Sequence, residues 1–253
     1  MFQHTLKSAF RNFLRHKNSF FINLIGLSTG LACALLIYLW VNDERSFDQF
    51  HEKEVYQFMS NHPNDAGIET WRWSPAELGK TIEEEMPEVE QAASASGMIP
   101  SSFILSVDNQ KIKIQGQFVD NDYFQVFSFP ILDGNPAELL PAKNAVAISE
   151  GVAMRLFNTT EGLIGKAVDW SVDQFGNQAV ISGIFKDFPN SSSKQFGIVL
   201  SFDFYKEMLG EGMHWGNYNA ETYAVLAKGT NVESFNSKIK NYPKNKIMIP
   251  NIK

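Results

Sequence analysis

SFFINLIGLSTGLACALLIYLWV, residues 19–41, is a run of 23 residues without a formal charge, against roughly 20 needed to carry a helix across a bilayer. Four cations, Lys7, Arg11, Arg15 and Lys17, precede it, and no acidic residue does. Asp43, Glu44 and Asp48 follow, opposed only by Arg45. By the positive-inside rule the N-terminus is cytoplasmic, and Tyr38 and Trp40 mark the outer interface. A cleaved signal peptide would have an apolar core of roughly 7–15 residues and a small-x-small cleavage site, and neither is clear here. Cys33 invites a lipoprotein reading, but Gly30 stands where a lipobox has Leu, and eight more apolar or aromatic residues follow.

Working outward, Gly26, Gly30 and Ala34 recur every four residues and line one helix face that a second backbone can approach closely. Chance and generic packing explain such a stripe equally well. An isolated anchor, however, has little need of the stripe or of polar Asn23, Ser28 and Thr29, so further membrane helices are expected. Before the span, Phe2, Leu6, Ala9, Phe10, Phe13 and Leu14 follow helical spacing, with Lys7, Arg11 and Arg15 opposite. Residues 1–18 thus read as a cytoplasmic amphipathic helix lying on membrane lipid. A positively charged flank that merely sets topology accounts for the cations but not for the apolar stripe.

The chain has 253 residues, and 18 of its 22 cations share the part after residue 42 with all 28 of its acids. With 44% hydrophobic residues and 21 Phe, that part has the means to bury a core, which excludes disorder for most of it. Its acidity argues against a nucleic-acid partner, because phosphate neutralisation needs a basic face. A single Cys excludes an intramolecular disulfide framework.

After the apolar run, Glu44 to Glu54 reads as a polar helical stalk, followed by a first strand at Val55, Tyr56 and Phe58. Ser74, Pro75 and Glu77 announce a helix by capping box, which Pro87 stops. Lys111–Val119 alternates Ile112, Ile114, Gly116 and Phe118 on one face, a half-buried strand with a bulge or bend at Gly116. Apolar runs at 145–148, 179–185, 198–202 and 222–227 read as strands. Helices are expected at Glu150–Phe157 after Ser149 and at Val232–Lys240 after Asn231. Tyr123, Phe124, Phe127 and Phe129 are expected to pack a lobe, from one face of a short helix ending near Pro130. Strands and helices do not alternate strictly, so the class is α+β. Turn residues at Asp120–Asp122 and Pro189–Ser193 suggest a hinge between two lobes.

No catalytic cluster stands out. GLIGKA (162–167) lacks the four-residue spacing and hydroxyl of a phosphate-binding loop, and reads as a turn into a strand. The five His form no H-x-x-x-H pair, which disfavours a zinc hydrolase. No G-x-S-x-G elbow occurs and the sole Cys lies in the apolar run, so no nucleophile is nominated. No metal or cofactor is expected. Glu83–Glu85 reads as a solvated helix face. Trp71 and Trp73, two apart in a strand, share a face and read as packing rather than as a ligand site.

The blocks DYFQVFSFPILDGNP (122–136), AVAISEGVAMRLF (145–157), LIGKAV (163–168) and ISGIFKDFPNSS (181–192) resemble, in order and spacing, the MacB-like periplasmic core domain of ABC transporter permeases of the MacB/FtsX type. FINLIGLSTGLACALLIYLWVNDERSFDQFH (21–51) is similar to the first membrane helix and its exit in the large permeases of that group. The resemblance covers Phe2 to about Ile239. It singles out Tyr123, Phe124, Phe127, Phe129, Pro130, Gly134, Gly165, Gly183, Asp187 and Pro189 as structural signature residues. Two departures stand out: Asn158 replaces a Gly after the core helix, and Ser192 replaces a His after the Asp-x-Pro turn. Such permeases continue into three more membrane helices, so the resemblance implies a chain cut short at its C-terminus.

The resemblance implies an α+β, two-lobed extracytoplasmic domain over residues 42–253, following the membrane helix at 19–41. It implies a non-enzymatic permease subunit of the inner (plasma) membrane in a mechanotransmission-type ABC system. A separate ATPase subunit, other permease helices in a homo- or heterodimer, and a periplasmic adaptor or cargo would be its partners. The competing reading is a single-pass anchored sensor domain that binds a ligand outside the cell.

Overall fold

The uncharged run becomes helix α1, Lys17–Ser46, about 45 Å long at 1.5 Å per residue. It is the one described helix long and apolar enough to cross a membrane. The computed structural model describes residues 17–46, 53–97, 102–189, 191–243 and 246. The expected amphipathic helix, with Lys7, Arg11 and Arg15, lies outside these residues, as does most of the stalk before Glu54. The chain divides into two compact units between Gln49 and Phe50.

In the second unit six strands close into a ring. They are β5 (Ser102–Val107), β6 (Gln110–Val119), β8 (Ala145–Ser149), β9 (Ala167–Val172), β10 (Phe175–Phe185) and β11 (Ile198–Ser201). Closure depends on β6, which pairs antiparallel with β5 over 110–115 and parallel with β11 over 116–119. From β11 the ring runs antiparallel to β8, parallel to β10, then antiparallel to β9 and on to β5. The far end of β6 also meets β4 (Val89–Ser96), which carries β12 (Ala220–Leu226) and β1 (Val55–Gln57). Strand β7 (Ile131–Gly134) pairs with the end of β10. Strands β2 (Ser60–Asn64) and β3 (Gly67–Trp71) form a hairpin with a sheet of its own.

Alternation decides what lies inside the ring. Phe103 and Leu105 of β5 are buried while Ile104 between them is exposed, and Val168, Trp170 and Val172 of β9 are buried at every second position. These residues join Phe118, Val146, Ile148, Ile181, Ile198 and Leu200 in one apolar core. Strands β8 and β11 are buried on both faces, which is why they read as continuous apolar runs. Their outer face carries a second core, rich in aromatics and built on helix α3 (Tyr123–Val126). A third lies between helix α2 (Leu78–Glu85), β4, β12 and helix α6 (Val232–Ile239). The expected hinge turns thus lie inside one compact unit, and its separate cores share strands.

Helix α4 (Glu150–Phe157) has the expected bounds, with Ser149 Oγ accepting from Val152 N at its start and Asn158 in the left-handed conformation after it. The capping box at Ser74 does not form. Ser74 bridges Ala220, and its hydroxyl pairs with Ala220 O and Thr222 Oγ1 instead, so α2 starts three residues after Pro75 and its N-cap, Glu77, makes no side-chain bond. At Gly116 the ladder keeps its register. A Cβ there would lie 2.4 Å from Ile198 Cγ2, so Gly116 serves close approach where β6 changes partners. Strand β9 follows the turn expected at GLIGKA and β3 ends at Trp71, itself expected in a strand, but β2, β4, β5 and β7 and helix α5 (Phe202–Leu209) have no counterpart among the sequence expectations.

Candidate functional site

Two regions hold the residues singled out from the sequence. The first is α1, where Lys17 begins the helix. Residues 17–45 are all exposed, including Gly26, Gly30, Ala34, Cys33, Tyr38 and Trp40. A Cβ added at Gly26 or Gly30 would meet nothing within 4 Å, so this face is open to another helix. Asn23, Ser28 and Thr29 add polar groups to the same exposed helix.

The second region is the aromatic core around α3. Tyr123 and Phe124 face it from the helix, and Ser128, at φ 55°, turns the chain so that Phe129 re-enters it. Tyr123, Phe124, Phe127 and Phe129 are all buried. Ring centroids lie 4.6 Å apart for Tyr123–Phe127, 5.3 Å for Phe124–Phe185, 4.9 Å for Phe127–Tyr223 and 4.4 Å for Phe129–Phe188. Edge and tilted contacts of this kind add to the area buried.

The remaining signature residues make joints around that core. Pro130 is exposed, and its carbonyl accepts from Lys186 N. Gly134 stands opposite Gly183 in the β7–β10 pair. Its φ of 107° suits glycine, and a Cβ would sit 2.6 Å from Ser182 O. At Gly183 a Cβ would strike Leu139. Gly165 turns the chain at φ 87° and donates to Ile181 O at 2.8 Å. Asp187 accepts from Gly151 N at 3.2 Å and donates its own amide to Glu150 Oε1, thereby capping the first turn of α4. The carbonyl of Pro189 accepts from Ser192 N and Gln195 Nε2.

A polar feature that the sequence reading missed lies beside α3. Asp120 Oδ2 accepts from Ser94 N at 2.5 Å, while Oδ1 is buried without a partner. Burial, reinforced by the Asp122 and Glu83 carboxylates and opposed by the Ser94 and Tyr123 amides, pushes its carboxyl up to about 7. Desolvation also raises Asp122, and it raises Glu83 together with the charge of Asp122. Glu84 is exposed as expected for a solvated face, whereas Glu83 is half-buried. The continuous burial of β4 over Ala92–Ala95, which delivers the Ser94 amide, was hidden in the small residues of VEQAASAS. Among the described residues no group of three or more His, Cys, Asp or Glu is placed to hold a metal ion. Trp71 and Trp73 sit 6.1 Å apart at the hairpin base, where His62 lies 4.1 Å from Trp71 and 4.8 Å from Tyr218.

A family model described as MacB-like periplasmic core domain matches residues 20–242. A solved domain of a protein described as a permease, from Porphyromonas gingivalis, is 20% identical with a TM-score of 0.62, over 77% of this chain and 84% of that one. The periplasmic region of MacB from Actinobacillus actinomycetemcomitans is 14% identical with a TM-score of 0.55, over 80% and 88%. The extracellular domain of the noncanonic ABC-type transporter YknZ from Gram-positive bacteria is 16% identical with a TM-score of 0.52, over 76% and 96%. At these identities the structures share the fold. No curated protein sequence matches the chain.

Proposed function

Because the chain belongs to the family of MacB-like periplasmic core domains, we propose that it is a membrane permease subunit, or the N-terminal part of one, of a mechanotransmission-type ABC transporter. In this reading a separate cytoplasmic subunit hydrolyses ATP. Membrane helices carry the resulting motion to the outer unit, which moves cargo on the far side of the membrane. The observation that carries the reading is the extent of the family match, which takes in most of the apolar helix α1 as well as the outer unit.

The open face at Gly26, Gly30 and Ala34 supports docking of further permease helices from the same or a second subunit. The cations before residue 19 support a cytoplasmic N-terminus, with residues 42–253 outside and the first 18 residues on membrane lipid. No enzymatic role is assigned, because the signature residues are engaged in packing and chain joints. An adaptor or cargo would then meet the outer unit.

Purification of the full chain from its native membrane in mild detergent is expected to bring down an ABC-type ATPase subunit with ATP-hydrolysing activity. Recovery of the intact chain without any such subunit would overturn the reading in favour of an anchored sensor. Orientation is tested separately: a Cys introduced at Asp65 should react with an impermeant thiol reagent on intact cells, and one at Gln3 should not.

A further inference from the structure

Glu221, near the start of β12, exposes only 4% of its side chain. Two cations from separate segments and a hydroxyl from its own strand converge on it. Arg72, directly after the β2–β3 hairpin, brings Nε to 3.2 Å from Oε1. Lys194, from the segment between β10 and β11, brings Nζ to 2.7 Å from Oε2. The Tyr223 hydroxyl donates to Oε2 at 2.6 Å, and Lys194 Nζ also stands 5.6 Å from the centre of that ring.

A carboxylate withdrawn from water is costly unless its charge is compensated, and breaking one side of such a contact strands the other. Here the compensation is doubled. Both cations keep contact with solvent, Arg72 at 62% and Lys194 at 29% exposure, so either can leave at small cost to itself. Glu221 cannot follow, because it is fixed in β12, opposite Ala95 of β4 and next to the Ser74–Ala220 bridge.

The ends of the hairpin are also tied to β12, where Phe58 N donates to Thr222 O and Ser74 bridges Ala220, and His62 meets Tyr218; between its ends the hairpin pairs with itself in its own two-stranded sheet. The loop is braced by Ser192 Oγ donating to Lys194 O and by Gln195 Nε2 donating to Pro189 O. Phe188 and Phe196, 4.6 Å apart between ring centroids, anchor its ends in the aromatic core. The Lys194 bridge is what joins its middle to β12.

We propose that Glu221 is a two-cation lock that holds the β2–β3 hairpin and the 191–197 loop in one arrangement, so that the two segments, remote in sequence, are released together when its charge is removed or both cations are withdrawn. Loss of one cation leaves the anion with the other, and the arrangement persists. Loss of both leaves a buried charge facing only the Tyr223 hydroxyl, and β12 must open at that end to solvate it. The inference rests on this geometry and does not depend on the transport reading.

Hydrogen–deuterium exchange of the full chain in detergent micelles tests it through peptides covering 60–72 and 191–197. Arg72→Ala should speed exchange modestly in the hairpin alone, and Lys194→Ala modestly in the loop alone. The double variant should speed both by about tenfold beyond the product of the single effects. Glu221→Gln should release both segments at once, and adding Arg72→Ala to it should change nothing further. Effects in the double variant that merely multiply would show two independent surface pairs and overturn the lock. So would release of only one segment in Glu221→Gln. A rise of the same size in peptides from β8 and β10 would reduce Glu221 to a general stability residue and overturn it as well. Arg72 and Lys194 reach Glu221 from partly exposed positions, so the additivity result decides the matter even if Glu221→Gln does not fold.

Discussion

Helix α1 and the aromatic segment Tyr123–Phe129 are both rich in apolar side chains, and they dispose of that character in opposite ways. In α1 every described side chain is exposed, with Ile22 at 70% and Leu27 at 73%. In the aromatic segment Tyr123 is fully buried and its neighbours nearly so. A helix satisfies its own backbone groups and can therefore sit in lipid with no protein around it. A one-turn helix such as α3 is not stable alone and exists because Phe185, Phe188, Phe196 and Tyr223 close around it. One region is stabilised by its surrounding medium, the other by distant parts of the same chain. Substitutions in the first should disturb assembly, and in the second folding.

The largest test of that contrast is Phe124→Ala. Truncation of a buried Phe costs roughly 3–5 kcal/mol, and in a unit of this size the melting temperature of the full chain in detergent should fall by on the order of 10 °C. Should stability be untouched while binding of some ligand is lost, the aromatic segment is a recognition surface and the contrast collapses.

Next comes the pH dependence of the same core through Asp120. Its carboxyl titrates at about 7 in the fold against 3.8 as a free group, so the folded state holds the proton more tightly than the unfolded one. Stability from this group is therefore full below pH 4 and falls as pH rises towards 7. Above that the loss is complete, amounting to a few kcal/mol. The raised carboxyls of Glu83 and Asp122 act in the same direction. Asp120→Asn keeps an acceptor for Ser94 N and removes the charge. Its melting temperature relative to wild type should rise between pH 5 and pH 8, and a constant difference would sink the assignment.

A smaller effect is expected in α1. Gly30→Leu or Gly26→Leu should leave the melting of the outer unit unchanged and weaken association with partner helices by on the order of 1 kcal/mol, read as reduced co-purification. Equal recovery of partners by both variants would remove the packing role. Smallest is Asn158→Ala, which places a β-carbon without a polar side chain in a left-handed position at φ 55°. It should cost about 1 kcal/mol, visible as a slight fall in melting temperature, with no change in assembly.

Features stabilised over a few consecutive residues were legible in the sequence. The uncharged run 19–41 lies within α1, and Ser149 with Asn158 delimit α4 at both ends. Double-sided burial made β8 and β11 readable as apolar runs. Features that depend on a partner far along the chain were not legible. VEQAASAS offers no apolar alternation, and becomes β4 only because β12 and β6 lie on either side. Ser74 reads as a helix cap until Ala220 and Thr222 claim its hydroxyl. Asp120 reads as a turn residue and Glu221 carries no signal in the sequence, yet the first is buried beneath Ser94 and the second between Arg72 and Lys194. Helix formation and partition into lipid are decided by the residues of the segment itself. Strand pairing, the closure of β6 onto both β5 and β11, and the burial of charge are decided by what packs against it, and only the tertiary structure supplies that.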